Sequence, residues 1–176
     1  AGLMWYLTGG PHGGWGNGSG DAALDFVPGD KIPNCTVSAE WVVAAAPGRV
    51  VRSENGEVLV DLDGDGLEQT GWLLLYMHIY AEGRVRAGTY VQRGQRIGRP
   101  SCEGGFSDAS HLHFARRYNG EWIPAGKGPV PLVLSGWTAH EGAVPYDGTL
   151  TKGNEVRTAC ECWDDVINGL VSDNEP

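Results

Sequence analysis

The apolar positions of this chain fall in short runs bounded by Gly, Pro and Asn, a pattern of strands and tight turns. Trp41–Ala45, Arg49–Arg52 and Val58–Asp61 read as strands, and Asn55-Gly56 between the last two is a strong hairpin signal. Trp72–Ile79 is the most apolar run and has the length of a buried strand. Alternation along it puts Trp72, Leu74, Tyr76 and His78 on one face. Residues 82–99 set single apolar residues between small turns, predicting short strands, and Tyr118-Asn119-Gly120 turns the chain into a strand at Glu121-Trp122.

The two ends are less regular. Residues 8–20 are too rich in glycine for a regular element, whereas Ala22–Val27 has the look of an ordered strand. After Pro124 the pattern weakens. Val130–Leu134 and Gly136–His140 read as strand or loop, Gly148–Cys162 as a hairpin about Lys152-Gly153-Asn154, and the acidic last ten or so residues as a frayed end. The fold class expected is mainly β, with antiparallel sheets.

Composition fits that class. The 176 residues suit one domain with a real core, and 28 Gly with 7 Trp suit a loop-rich β protein. A net charge of −9 argues against a nucleic-acid partner and against simple electrostatic capture by an anionic membrane or wall. No apolar run is long enough to span a membrane. The start lacks a basic and apolar leader and is not Met, so either a removed signal or pro-segment or a trimmed start is expected. Four Cys suit a secreted, disulfide-bonded chain. Cys35 and Cys102 are candidate partners; Cys160 and Cys162 lie too close on a strand for an easy internal bridge.

Chemistry concentrates in histidine. In Ser110-His111-Leu112-His113-Phe114, strand alternation puts His111 and His113 on one face, roughly 7 Å apart along the strand, and Leu112 and Phe114 on the other. Two partly buried histidines with hydrogen-bond partners would satisfy this fragment alone. His12, Asp25 and His78 add to it. A catalytic zinc site needs three protein ligands and an open position. One partition takes His12, Asp25 and His113 as ligands and leaves His78 and His111 for proton transfer. Other partitions remain open by spacing alone, and His140 reads as a surface residue. Asp61-Leu62-Asp63-Gly64-Asp65-Gly66 resembles the opening of a calcium loop, but Trp72 stands where an EF-hand has its bidentate Glu. An acidic hairpin tip is the favoured reading, with Ca2+ at Asp61, Asp63 and Asp65 as the alternative.

Several motifs occur in a fixed order: Gly9-Gly-Pro-His12 with Asp25 downstream, Ala46-Pro-Gly-Arg-Val50, Leu75-Tyr-Met-His78, Val91-Gln-Arg-Gly-Gln-Arg-Ile-Gly98 and Ser110-His-Leu-His-Phe114. Together they resemble the M23 family of zinc metalloendopeptidases, the lysostaphin type. The wide His12-to-Asp25 gap, Cys102-Glu-Gly-Gly105 and Tyr118-Asn-Gly120 look like its LasA (staphylolysin) branch. The resemblance covers residues 9–122 of a single peptidase domain spanning 1–176, with 123–176 as a C-terminal extension.

The resemblance implies a substrate groove over the central antiparallel sheet, floored by the His-Leu-His strand. It makes His12, Asp25 and His113 the ligands of one Zn2+, and His78 and His111 the catalytic pair. Tyr146 sits where the branch carries a tyrosine near the groove and is a candidate for substrate contact. The activity implied is hydrolysis of Gly-rich bonds in peptidoglycan, for which a narrow groove that admits backbone and rejects side chains gives a reason. The expected form is a secreted monomer with no nucleic-acid partner and no membrane insertion. A non-catalytic, wall-binding module and a processing peptidase for a protein substrate are the rival readings. Retention of all five polar positions favours an enzyme.

Overall fold

A computed structural model describes residues 2–16 and 18–172. Its described residues form strands β1 (Met4–His12), β2 (Ala23–Pro28), β3 (Val42–Val43), β4 (Gly48–Glu54), β5 (Glu57–Asp61), β6 (Trp72–Met77), β7 (Tyr90–Val91), β8 (Arg96–Gly98), β9 (Leu112–Tyr118), β10 (Glu121–Trp122), β11 (Val133–Leu134), β12 (Trp137–Glu141), β13 (Gly148–Lys152), β14 (Glu155–Thr158) and β15 (Gly169–Val171). No helix occurs among them. The main sheet runs β15-β1-β2-β9-β6-β5-β4-β7, with β10 added to β9, and every pairing is antiparallel. Strands β11 to β14 form a second sheet in sequence order, and β3 pairs with β8.

The centre of the main sheet follows from the sequence pattern. Leu24, Phe114 and Tyr76 lie side by side on β2, β9 and β6 and enter the larger core with Leu7, Val58 and Leu74. The residues between them turn to the opposite face. There Ala23, Ala115, Leu75, Leu73 and Leu59 form a smaller cluster, and Gly9, Asp25, His113 and Met77 make the next row across four strands. This second face floors the groove. Asn55 and Gly56, at φ 47° and 76°, make the tight β4–β5 hairpin that their dipeptide predicts. The expected hairpin about Lys152-Gly153-Asn154 joins β13 and β14.

Four expectations need correction. Residues 8–12 belong to a strand after all, because β1 runs through Gly9 and Gly10 to His12 and pairs with β2 at Gly9 and His12, with register shifts on the way. These glycines answer to neighbours: a Cβ on Gly9 would lie 2.9 Å from Asp25 Oδ2, and one on Gly10 only 2.4 Å from the Asp147 carbonyl oxygen. His78 does not share the Tyr76 face. It lies just beyond β6 at φ 64°, which breaks the alternation and turns its ring to the groove side. The C-terminal segment is not frayed throughout, since β15 pairs with β1; residues 173–176 lie outside the described residues.

The fourth correction is that Cys160 and Cys162 are bridged to each other, alongside the expected Cys35–Cys102 disulfide. They lie in a bend rather than on a strand, so their Cα atoms approach to 5.2 Å, within disulfide reach. The buried Asn168 amide fills that bend, donating to the carbonyls of Leu7, Cys160 and Cys162.

Candidate active site

Three side chains from three adjacent strands converge on the groove floor. His12 ends β1, Asp25 stands in β2 and His113 in β9, directly opposite Asp25. His12 Nε2 lies 3.3 Å from Asp25 Oδ2 and 3.2 Å from His113 Nδ1, and His113 Nδ1 lies 3.0 Å from Asp25 Oδ1. One donor atom from each can be chosen so that all lie within 4.8 Å of one another. The side chains of His12, His113 and Asp25 are only 3%, 6% and 13% exposed.

The other nitrogen of each histidine fixes what faces inward. His12 Nδ1 is 2.8 Å from the Gly10 carbonyl oxygen, and His113 Nε2 bonds the Gly14 carbonyl. A carbonyl only accepts, so both nitrogens carry their protons outward. His12 Nε2 and His113 Nδ1 are then left as lone pairs beside a carboxylate. Three buried acceptors at such distances require a proton or a cation between them. Nitrogen, nitrogen and oxygen donors with hydrogen-bonded far nitrogens suit zinc.

Charge behaviour agrees. Burial pushes the Asp25 carboxyl up, but the His113 and His12 rings, which donate to it whenever they take up a second proton, and the nearby His111 outweigh burial and hold it far below the usual range. Burial pushes His12 down, yet the Asp25 hydrogen bond and charge raise it overall.

His78 and His111 form a second pair beside the first. Their ring centroids are 4.4 Å apart, and His111 Nε2 lies 3.7 Å from Asp25 Oδ1. His78 Nδ1 donates to the Glu103 carbonyl at 3.1 Å and His111 Nδ1 to the Ala109 carbonyl at 2.8 Å, leaving both Nε2 atoms as proton acceptors. The Ser101 N–H and hydroxyl both bond the His78 carbonyl, which secures its left-handed backbone. Burial first, and then the His111 charge, push His78 down to about 4, so it stays neutral near pH 7.

Tyr146 reaches the site from the C-terminal extension. Its ring stacks on His12 with centroids 4.0 Å apart, and its N–H and carbonyl bond the Pro11 carbonyl and the Gly10 N–H. Burial, then the Asp25 charge, raise its phenol, which stays a donor at neutral pH. All five histidine and aspartate positions singled out for the zinc site in the sequence are thus within one cleft, with Tyr146 at its edge. His140 is apart from them, exposed and hydrogen-bonded to Thr151.

Sequence reasoning missed Trp15. Its ring stands edge-on to His78 and His113, at centroid distances of 6.4 and 6.2 Å, and covers the Cα of Gly105. A Cβ on Gly14 would meet the Trp122 ring at 2.6 Å, so glycine lets this loop descend far enough for its carbonyl to reach His113. Only Gly13-Gly14-Trp15, an aromatic among glycines, hinted at this. Asp61, Asp63 and Asp65 also lie within 4.8 Å of one another. Their oxygens accept from the N–H groups of Asp63, Asp65, Gly66 and Leu67, the arrangement of an acidic turn.

Residues 34–124 match the model of peptidase family M23. The chain belongs to peptidase family M23. That match holds His78, His111 and His113, while His12 and Asp25 precede it. Two curated M23-type relatives, the lysostaphins of Staphylococcus simulans and Staphylococcus staphylolyticus, are each 31% identical over 144 residues. The aligned region is 81% of this chain but only 27% and 28% of theirs. Among solved structures, the M23 metalloprotease Pseudoalterin from the deep sea superposes with a TM-score of 0.71 at 25% identity, covering 90% of both chains. The antiparallel β architecture of this M23 chain is therefore that of its family.

Proposed function

We propose that this M23 chain is a secreted, monomeric zinc endopeptidase that hydrolyses Gly-rich peptide bonds, with peptidoglycan cross-bridges or stem peptides as its substrate. The observation that carries this reading is the convergence of His12 Nε2, Asp25 and His113 Nδ1, buried, with both far nitrogens held by carbonyls. In this reading those three residues hold the zinc and residues 1–176 act as one unit. Zinc in such a site supplies Lewis acidity and a water acidified to a pKa of about 7.

The chain's own groups do the rest. His111 Nε2, the nearer of the pair to Asp25, receives the proton of the attacking water, and His78 Nε2 accepts a second hydrogen bond from that water and orients it. The carbonyls of Ala109 and Glu103 keep both rings in the tautomer this needs. Tyr146 and Trp15 border the floor, and between them an extended glycine backbone passes more readily than one with side chains. Two disulfides support an oxidising location. The test is cleavage of a pentaglycine peptide before and after chelation. Chelator-sensitive cleavage restored by zinc supports the reading; the absence of any chelator-sensitive cleavage of Gly-rich or wall peptides overturns it.

A further inference from the structure

Positive charge is unevenly placed in this acidic chain. Five of its 13 Lys and Arg, namely Arg84, Arg86, Arg93, Arg96 and Arg99, fall within residues 84–99, and no Asp or Glu occurs from Gly83 to Cys102. The fold keeps them together. The Val85 N–H donates to the Ile97 carbonyl at 2.8 Å, and both side chains turn into the core. Arg86 and Arg96 beside them are exposed on the outward side, whereas the Arg84 side chain turns in and donates to the Ile79 carbonyl. Arg93 sits in the turn just before β8.

The arginines are also uncommitted. Among the described residues, only Arg84 has a carboxylate partner, Glu103 at 3.6 Å. Arg96 and Arg99 lie instead over the Trp41 ring, 4.6 and 4.8 Å from its centroid. An indole face orders a guanidinium without neutralising it, so less entropy is lost when an anion binds. Arg86, Arg93 and Arg96 are exposed. The face adjoins the cleft, since the Tyr80 N–H bonds the Arg99 carbonyl and the Ser101 N–H bonds that of His78.

We propose that Arg86, Arg93, Arg96 and Arg99, with Trp41, form a docking face for a linear polyanion of the polyol-phosphate type. Guanidinium forks match phosphodiester oxygens, and a row of them matches a repeating chain. The partner is taken to be a wall polymer, which rests on the peptidase reading. A chain of net charge −9 is repelled by an anionic surface unless one face reverses the local sign, and this face would bring the cleft up to it.

The probe is a fluorescently labelled synthetic poly(glycerol phosphate) chain, titrated with the full chain at low and moderate salt. Binding should weaken at least tenfold as salt rises. The Arg93→Glu/Arg96→Glu variant should lose at least tenfold in affinity, and Arg93→Gln/Arg96→Gln less. Lys31→Glu/Lys127→Glu, which changes net charge equally on other exposed cations, should lose under threefold. Hydrolysis of a short Gly peptide should be unchanged in all of them, which also shows that they fold. No binding, or equal losses in both Glu variants, overturns the docking face; tighter binding of a charge-matched oligonucleotide overturns the choice of partner. Because binding needs no turnover, failure of the peptidase reading would show separately as an uncleaved peptide.

Discussion

His78 and His111 meet ring to ring, 4.4 Å apart, where the end of β6 lies beside the start of β9. His111 stands one residue before β9 and reaches the groove by simple alternation with His113. His78 follows β6 and reaches it only through a left-handed backbone at φ 64°. The pair is thus one histidine placed by sheet geometry and one placed by a local exception to it, and such exceptions concentrate at functional sites.

Their coupling gives a titration prediction. In metal-free protein, NMR should find His78 titrating at about 4, and in His111→Ala it should move back toward 6.5, because the His111 charge helps to hold it down. The linked stability has a definite sign. The unfolded state takes the proton first, so the His78 contribution is present above pH 6.5 and is lost as pH falls toward 4. The scale of this term is on the order of 3 kcal/mol. The same His78 midpoint in both proteins would show that the rings are not coupled.

Gly9 makes room for Asp25, so Gly9→Ala should disturb the metal site without unfolding the sheet. A Cβ there would stand 2.9 Å from Oδ2. We expect zinc affinity to fall by about tenfold or more, the scale of disturbed support around a ligand. Chelator competition measures this, with far-ultraviolet circular dichroism unchanged.

Tyr146→Phe separates donation from stacking. The ring stays on His12 while the phenol hydrogen-bond donor is lost. If that donor supports charge on the substrate oxygen, kcat should fall about 10²-fold with zinc content and KM little changed. Steady-state kinetics and metal analysis on one preparation test it, and an unaltered kcat would reduce Tyr146 to a wall of the groove.

Much of this was legible in the sequence, for physical reasons that vary by residue. The Asn55-Gly56 hairpin and the opposite faces of Leu112 and His113 depend on local geometry, which any strand or tight turn imposes. The grouping of His12, Asp25 and His113 came from a family resemblance, because spacing alone allows several partitions. What was not legible depends on distant neighbours. Gly9 and Gly10 look like loop residues, yet they are required by Asp25 and Asp147 packed against β1. β15 pairs with the first strand of the chain, Cys160 and Cys162 close around Asn168, and Trp15 is held by Gly105. Apart from the aromatic set among glycines at Trp15, none of these contacts leaves a local pattern in the sequence.

His113 as metal ligand and His111 as proton acceptor divide the work of His-Leu-His, and metal content decides between them. Zinc is measured by elemental analysis in the parent protein, His113→Ala and His111→Ala, alongside pentaglycine cleavage. We expect one zinc per chain in the parent, none in His113→Ala, and one in a His111→Ala protein that no longer turns over. Loss of zinc from His111→Ala with retention in His113→Ala would contradict this division.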